Sequence, residues 1–143
     1  MSDPQPVRIA FVCVQNAGRS QMAYAFAEQE LDDRGVQNEI DLITGGTNPA
    51  DRIHPEVLDV MQAVGIDVSE RTPREVTSEE LQDSDYVITM GCSADDVCPA
   101  RWTGENRDWG LPDPHDKSIV EVTEIRDEIG RRVRNLVDEI VNE

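Results

Sequence analysis

Cys13 and Arg19 are separated by five residues in the run Cys13-Val14-Gln15-Asn16-Ala17-Gly18-Arg19-Ser20. A loop of this length, joining a strand to a helix N-terminus, can turn successive backbone N–H groups inward around a tetrahedral oxyanion. Arg19 can then close the ring with a two-pronged guanidinium grip. The same positive field favours the thiolate of Cys13, the form that nucleophilic attack requires. Ser20 can donate a hydrogen bond to that sulfur, and Asn16 can fix the inner conformation of the loop. Val14, Gln15, Asn16, Ala17, Gly18, Arg19 and Ser20 therefore form the expected oxyanion-binding set. The bland alternative, a buried strand cysteine and a surface arginine, is disfavoured by the setting: strand before, Gly within, Ser after, and a helix beginning on time.

The remaining cysteines, Cys92 and Cys98, lie six positions apart. Such a pair could bind metal, pack in a core or exchange a disulfide. On a continuous helix their Cα atoms would stand about 9 Å apart. That exceeds the disulfide reach of roughly 4.4–6.8 Å, so bonding them requires the segment to coil or unwind. A tetrahedral metal site would need more Cys or His nearby, and His54 and His115 are the only histidines. A redox pair is favoured, because three cysteines and no secretory segment suit a reducing compartment. Asp113-Pro114 is the last candidate. Proline holds Asp113 extended, which suits an aimed general acid and a simple turn about equally well.

These residues need elements to position them. Val7 to Val14 is nearly continuous apolar and β-branched, the pattern of a strand covered on both faces. A helix is expected from about Ser20 to Gly35, carrying Met22, Ala23, Phe26, Ala27 and Leu31 on one side. Glu39 to Thr44 reads as a second strand stopped by Gly45-Gly46. Pro55 opens a helix whose Val57, Leu58, Met61 and Val64 face one way before Gly65. Thr77-Ser78-Glu79-Glu80 caps a short helix reaching Leu81. Tyr86 to Met90 is a third buried strand, and a short strand is expected around Arg107 to Trp109. The long final helix starts near Ser118, with Val122, Ile125, Ile129, Val133, Leu136 and Ile140 spaced three or four apart. Alternating strands and helices predict a single α/β domain over residues 1–143, with a four-stranded parallel sheet and helices on both faces. Ligands of such sheets sit beyond the C-terminal strand ends, where Cys13, at the end of the first strand, and Cys92, just past the third, are expected to converge.

Composition bounds the partners. The 143-residue chain has the size of one domain and a formal net charge of −17. That excludes the basic surface of a typical nucleic-acid binder and argues against anionic membranes. The first apolar run is too short to span a bilayer, and no targeting segment is evident, so a cytoplasmic location is expected. Lys117 is the only lysine among 13 cationic residues. Abundant carboxylates with almost no lysine resemble proteins from cells of very salty cytoplasm, where a Debye length of roughly 3 Å relieves like-charge repulsion.

The run Cys13 to Ser20, continued by Gln21-Met22-Ala23, resembles the phosphate-binding loop of the low-molecular-weight tyrosine phosphatase superfamily. The Gln-Met-Ala continuation resembles its arsenate reductase branch; phosphatases more often carry Pro after the Ser. The likeness extends to Thr89-Met90-Gly91-Cys92, Cys98-Pro99 and the stretch from Asp108 to Pro114. It implies that Cys13 attacks arsenate held in the loop, that Cys92 attacks Cys13 as arsenite leaves, and that Cys98 carries the disulfide outward to thioredoxin or a small thiol. It also implies Asp113 as the general acid, phosphate and sulfate as analogue anions, and no metal or organic cofactor. Tyr24 stands where some relatives place an acid that helps bind potassium, so no such ion is expected. Gly18 stands where several relatives have a further cysteine. The Cys92–Cys98 spacing is intermediate between thioredoxin-linked and small-thiol branches, which leaves the reductant open. The alternative is a low-molecular-weight phosphatase hydrolysing phosphoesters through a Cys13 phosphoenzyme, without need of Cys92 or Cys98.

Overall fold

The computed structural model describes residues 6–90, 104–112, 114 and 117–142. Four strands, β1 (Val7–Cys13), β2 (Ile40–Gly46), β3 (Tyr86–Met90) and β4 (Glu105–Asp108), form one sheet in the order β2-β1-β3-β4. Every pairing is parallel, so this is the expected α/β sheet. Cys13 is in register with Gly46 on one side and Met90 on the other. The C-terminal ends of β2, β1 and β3 are therefore level at Cys13. The chain winds from β1 to β2 on one side and then crosses to β3, making the β1–β3 boundary the switch point where such sheets open a crevice.

Pleating sorts the side chains into two cores. Ile9, Phe11 and Cys13 of β1, with Ile88 and Met90 of β3, share one face with the buried stripes of α1 (Arg19–Arg34), α2 (Pro55–Gln62) and α4 (Ile119–Val141). Ala10, Val12 and Val87 face the other way, against Leu81 of the short helix α3 (Ser78–Gln82) and Val76 just before it. Helices thus cover both faces, three on one and one on the other among the described residues. Phe11 is fully buried and meets Trp109 at 6.2 Å between ring centroids. Burying such a ring contributes about 1.5–3 kcal/mol. Trp109 is therefore a packing residue, while Trp102 lies outside the described residues.

Local signals set the helix ends. Gly35, at φ +68°, closes α1, and the following Val36 N–H reaches back to the Leu31 carbonyl at 3.0 Å. This left-handed turn is one that glycine adopts without steric cost. Thr77 and Glu80 form a reciprocal capping box on α3, and Ser118 accepts the Glu121 N–H at the start of α4. No helix among the described residues is long and apolar enough to cross a membrane.

Three expectations need correction. β2 does not stop at Gly45-Gly46 but runs through both. Glycine is required there by close approach: a Cβ on Gly45 would lie 2.8 Å from the Val76 side chain, and one on Gly46 would collide with the Val14 carbonyl oxygen. The fourth strand is Glu105–Asp108 and ends before Trp109, whose N–H still bonds the Thr89 carbonyl at 2.8 Å. On α2 the buried side chains are Val57, Val60 and Met61, whereas Val64 follows the helix and is exposed. Replacing Gly46 with alanine is expected to cost about 1–3 kcal/mol, because the obstruction is backbone and cannot rotate away. A urea or thermal unfolding midpoint indistinguishable from the parent would refute that role for Gly46.

Candidate active site

Cys13 ends β1 and is 3% exposed. The loop after it is anchored by its carbonyls. Those of Cys13, Val14, Gln15 and Ala17 accept the N–H groups of Thr47, Asn48, Ala50 and His54 at 3.2, 2.8, 2.9 and 3.0 Å. In a trans peptide the next N–H points opposite to the carbonyl. Tying the carbonyls to the segment 47–54 therefore turns the amides of Val14, Gln15, Asn16 and Gly18 toward the other side of the loop. That side holds the sulfur: the Asn16 N–H lies 3.1 Å from Cys13 Sγ. A ring of inward amides at a helix N-terminus is a site for an oxyanion.

Asn16 is the one non-glycine residue with positive φ among the described residues, at 53°. It is fully buried and its side-chain amide uses all four of its hydrogen-bond sites. Nδ2 donates to Ser20 Oγ at 2.8 Å and to Thr44 Oγ1 at 2.9 Å. Oδ1 accepts the Gln21 side-chain amide at 3.0 Å and the Arg74 backbone N–H at 3.0 Å. Ser20 Oγ in turn stands 2.8 Å from Cys13 Sγ. These bonds offset the cost of holding an asparagine in the left-handed region.

Arg19, the first residue of α1, is 9% exposed and donates to the Leu111 carbonyl at 2.8 Å. Cys13, Val14, Gln15, Ala17, Gly18, Arg19 and His54 line one cavity of about 220 Å³. The structure thus brings together the predicted nucleophile, the loop and the predicted clamp. Ser20 and Asn16 support them from beneath. Pro114 is buried against Gly18, where an added Cβ would lie 2.7 Å from its Cγ. Cys92, Cys98 and Asp113 lie outside the described residues. Met90, from which the chain leaves toward Cys92, is level with Cys13.

Three residues of this neighbourhood escaped sequence reasoning. His54 reads from its Pro55 neighbour as a helix-start residue, and it is the N-cap of α2, but it also lines the cavity. Thr44 hides as an alternating strand residue. Arg74 carries no motif, yet its guanidinium donates to the Thr44 carbonyl at 2.8 Å and to Glu80 at 2.8 Å. Burial pushes the Glu80 carboxyl up, but the hydrogen bonds from Arg74 and Thr77 outweigh it and hold it below the usual carboxylate range. Arg71 pairs with Glu28 and lies 5.0 Å over the Tyr24 ring, and it does not line the cavity.

A parallel α/β sheet with a cysteine-and-arginine loop at its switch point defines a class, and the chain belongs to the low molecular weight phosphotyrosine protein phosphatase family, whose model matches residues 8–143. Within that class the nearer relatives bear a different name. A Halobacterium salinarum protein provisionally named an arsenate reductase is 50% identical over 139 residues, covering 97% of this chain and 96% of the relative. The arsenate reductase of Brevibacillus brevis is 35% identical, covering 91% and 93%. Among solved structures, the thioredoxin-dependent arsenate reductase of Corynebacterium glutamicum is 37% identical with a TM-score of 0.75. The match covers 96% of this chain but 64% of that longer one.

Proposed function

We propose that this protein is an arsenate reductase that uses Cys13 as nucleophile and Cys92 and Cys98 as a thiol relay. The observation that carries the anion-attacking half is the Cys13 sulfur set among inward amides, with Arg19 lining the same cavity. Identity to proteins named arsenate reductases, together with the two further cysteines, supports the reducing half.

The thiolate of Cys13 displaces an oxygen of arsenate, which leaves as water after protonation by Asp113, and a Cys13–arsenic bond forms. The loop amides and Arg19 hold the remaining oxygens. Cys92 then attacks Cys13 Sγ. The sulfur–arsenic bond breaks with its electron pair going to arsenic, which falls from the pentavalent to the trivalent state. A Cys13–Cys92 disulfide remains. Cys98 attacks Cys92, frees the Cys13 thiolate, and leaves a Cys92–Cys98 disulfide for a dithiol such as thioredoxin, or for a small thiol, to reduce. This chemistry needs no metal or organic cofactor and suits a cytoplasmic thiol pool.

The test is Cys92→Ser and Cys98→Ser, assayed with arsenate, thioredoxin, its reductase and NADPH. Multiple-turnover reduction is expected to vanish in both variants. Undiminished reduction in Cys92→Ser would refute the relay. Loss of nothing but phosphoester hydrolysis in Cys13→Ser, with no arsenate reduction by the parent, would make the protein a phosphatase.

A further inference from the structure

We propose that Gln21 is a positioning residue that tunes Cys13 by holding the Asn16 amide in one orientation; the inference rests on Cys13 being the nucleophile. Gln21 lies in the first turn of α1, is 2% exposed, and does not line the cavity. Its Nε2 donates to Asn16 Oδ1 at 3.0 Å, while its own Oε1 has no hydrogen-bond partner among the described residues. A buried acceptor without a donor is destabilising, and an apolar side chain of the same size would avoid that. The cost makes sense where the donated bond does something packing could not.

The hydrogen-bond senses show what it does. The Phe11 carbonyl can only accept, so the Thr44 hydroxyl, 2.9 Å away, donates to it and must accept from Asn16. The Arg74 backbone N–H can only donate, so the Asn16 atom facing it is the oxygen. Gln21 supplies the second donor to that oxygen. Together they direct Asn16 Nδ2 at both hydroxyls. Ser20 Oγ then accepts a hydrogen bond from Asn16 Nδ2 and has its own hydrogen free for Cys13 Sγ. The chain of bonds ends as a donor on the sulfur, which stabilises the thiolate over the thiol. Without Gln21 one donor to Oδ1 remains, so the amide is held less firmly and the serine proton is shared with other orientations.

The experiment uses the full chain with Cys92→Ser and Cys98→Ser, leaving Cys13 as the sole thiol. Its alkylation rate by iodoacetamide is followed against pH, with Gln21→Met beside the parent. The other titratable and charged groups lining the cavity among the described residues, Arg19 of α1 and His54 at the head of α2, are retained. The alkylation midpoint is expected to rise by about half to one pH unit, a three- to tenfold slower reaction on the acid side. The thermal midpoint should hold or rise, since the unpartnered oxygen is gone. In the chain with all three cysteines, arsenate kcat should fall with little change in KM. Gln21→Leu likewise presents no donor and adds no charge, so it should shift the profile the same way even if Gln21→Met folds poorly. An alkylation profile unchanged in both variants, with or without lower thermal stability, would overturn the proposal and make Gln21 a packing residue. Alkylation needs no arsenate, so a parent that fails to reduce arsenate yet shows the shift would refute the proposed function and leave this inference standing.

Discussion

Cys13→Ser is expected to abolish arsenate reduction and any phosphoester turnover, by about 10⁴-fold or more, while the protein keeps its fold and its oxyanion affinity. Serine matches cysteine closely in shape, and the position is a β1 terminus whose backbone is fixed by pairing with β2 and β3. The Asn16 N–H and Ser20 hydroxyl would still find an acceptor there. What is lost is the nucleophilic sulfur, because a hydroxyl is a far weaker nucleophile than a thiol in the same place. Phosphate binding by calorimetry, beside turnover, separates the two effects. Turnover retained within tenfold would move the nucleophile to another residue and remove the basis for every step drawn from Cys13.

Arg19→Lys is expected to be the second largest loss, about 10² to 10³-fold in kcat/KM for arsenate. Arg19 is nearly buried and has one guanidinium nitrogen committed to the Leu111 carbonyl. A planar fork can hold that carbonyl and still present further N–H groups to an oxyanion, whereas a lysine ammonium offers a compact point charge with different reach. The charge is conserved, so iodoacetamide, an uncharged reagent, should alkylate Cys13 of the Arg19→Lys variant at nearly the parent rate. A variant that loses alkylation and arsenate turnover in parallel would mean that Arg19 acts on the thiol and not on the anion. Retention of full kcat/KM would exclude it as the clamp.

Much of the framework was legible because it rests on local rules. β1 is a continuous apolar run, α1 begins where the loop chemistry needs a positive helix end, and Gly35 and Ser118 stop and start helices by conformations those residues favour. Where local rules failed, a distant segment had intervened. Gly45 and Gly46 look like a strand stop, yet the strand persists through them because Val76 and the Val14 carbonyl crowd their Cα atoms. Val64 fits the helical spacing of α2 but falls beyond its last turn and is exposed.

The sequence by itself determined the α/β class, the strand–loop–helix setting of Cys13 to Ser20, and the residues proposed to attack and clamp an anion. It could do so because the loop's chemistry is carried by neighbours in the chain: a strand end, a tight turn and a helix start within eight residues. Only the tertiary structure decided which remote groups complete that site. Thr44, Arg74 and His54 reach it from a neighbouring strand, a connecting segment and a helix cap, each through hydrogen bonds or cavity walls spanning dozens of positions. The periodicity of a sequence reports which face of an element is buried. What lies opposite that face is fixed by strand order and register, and these depend on the whole chain packing at once.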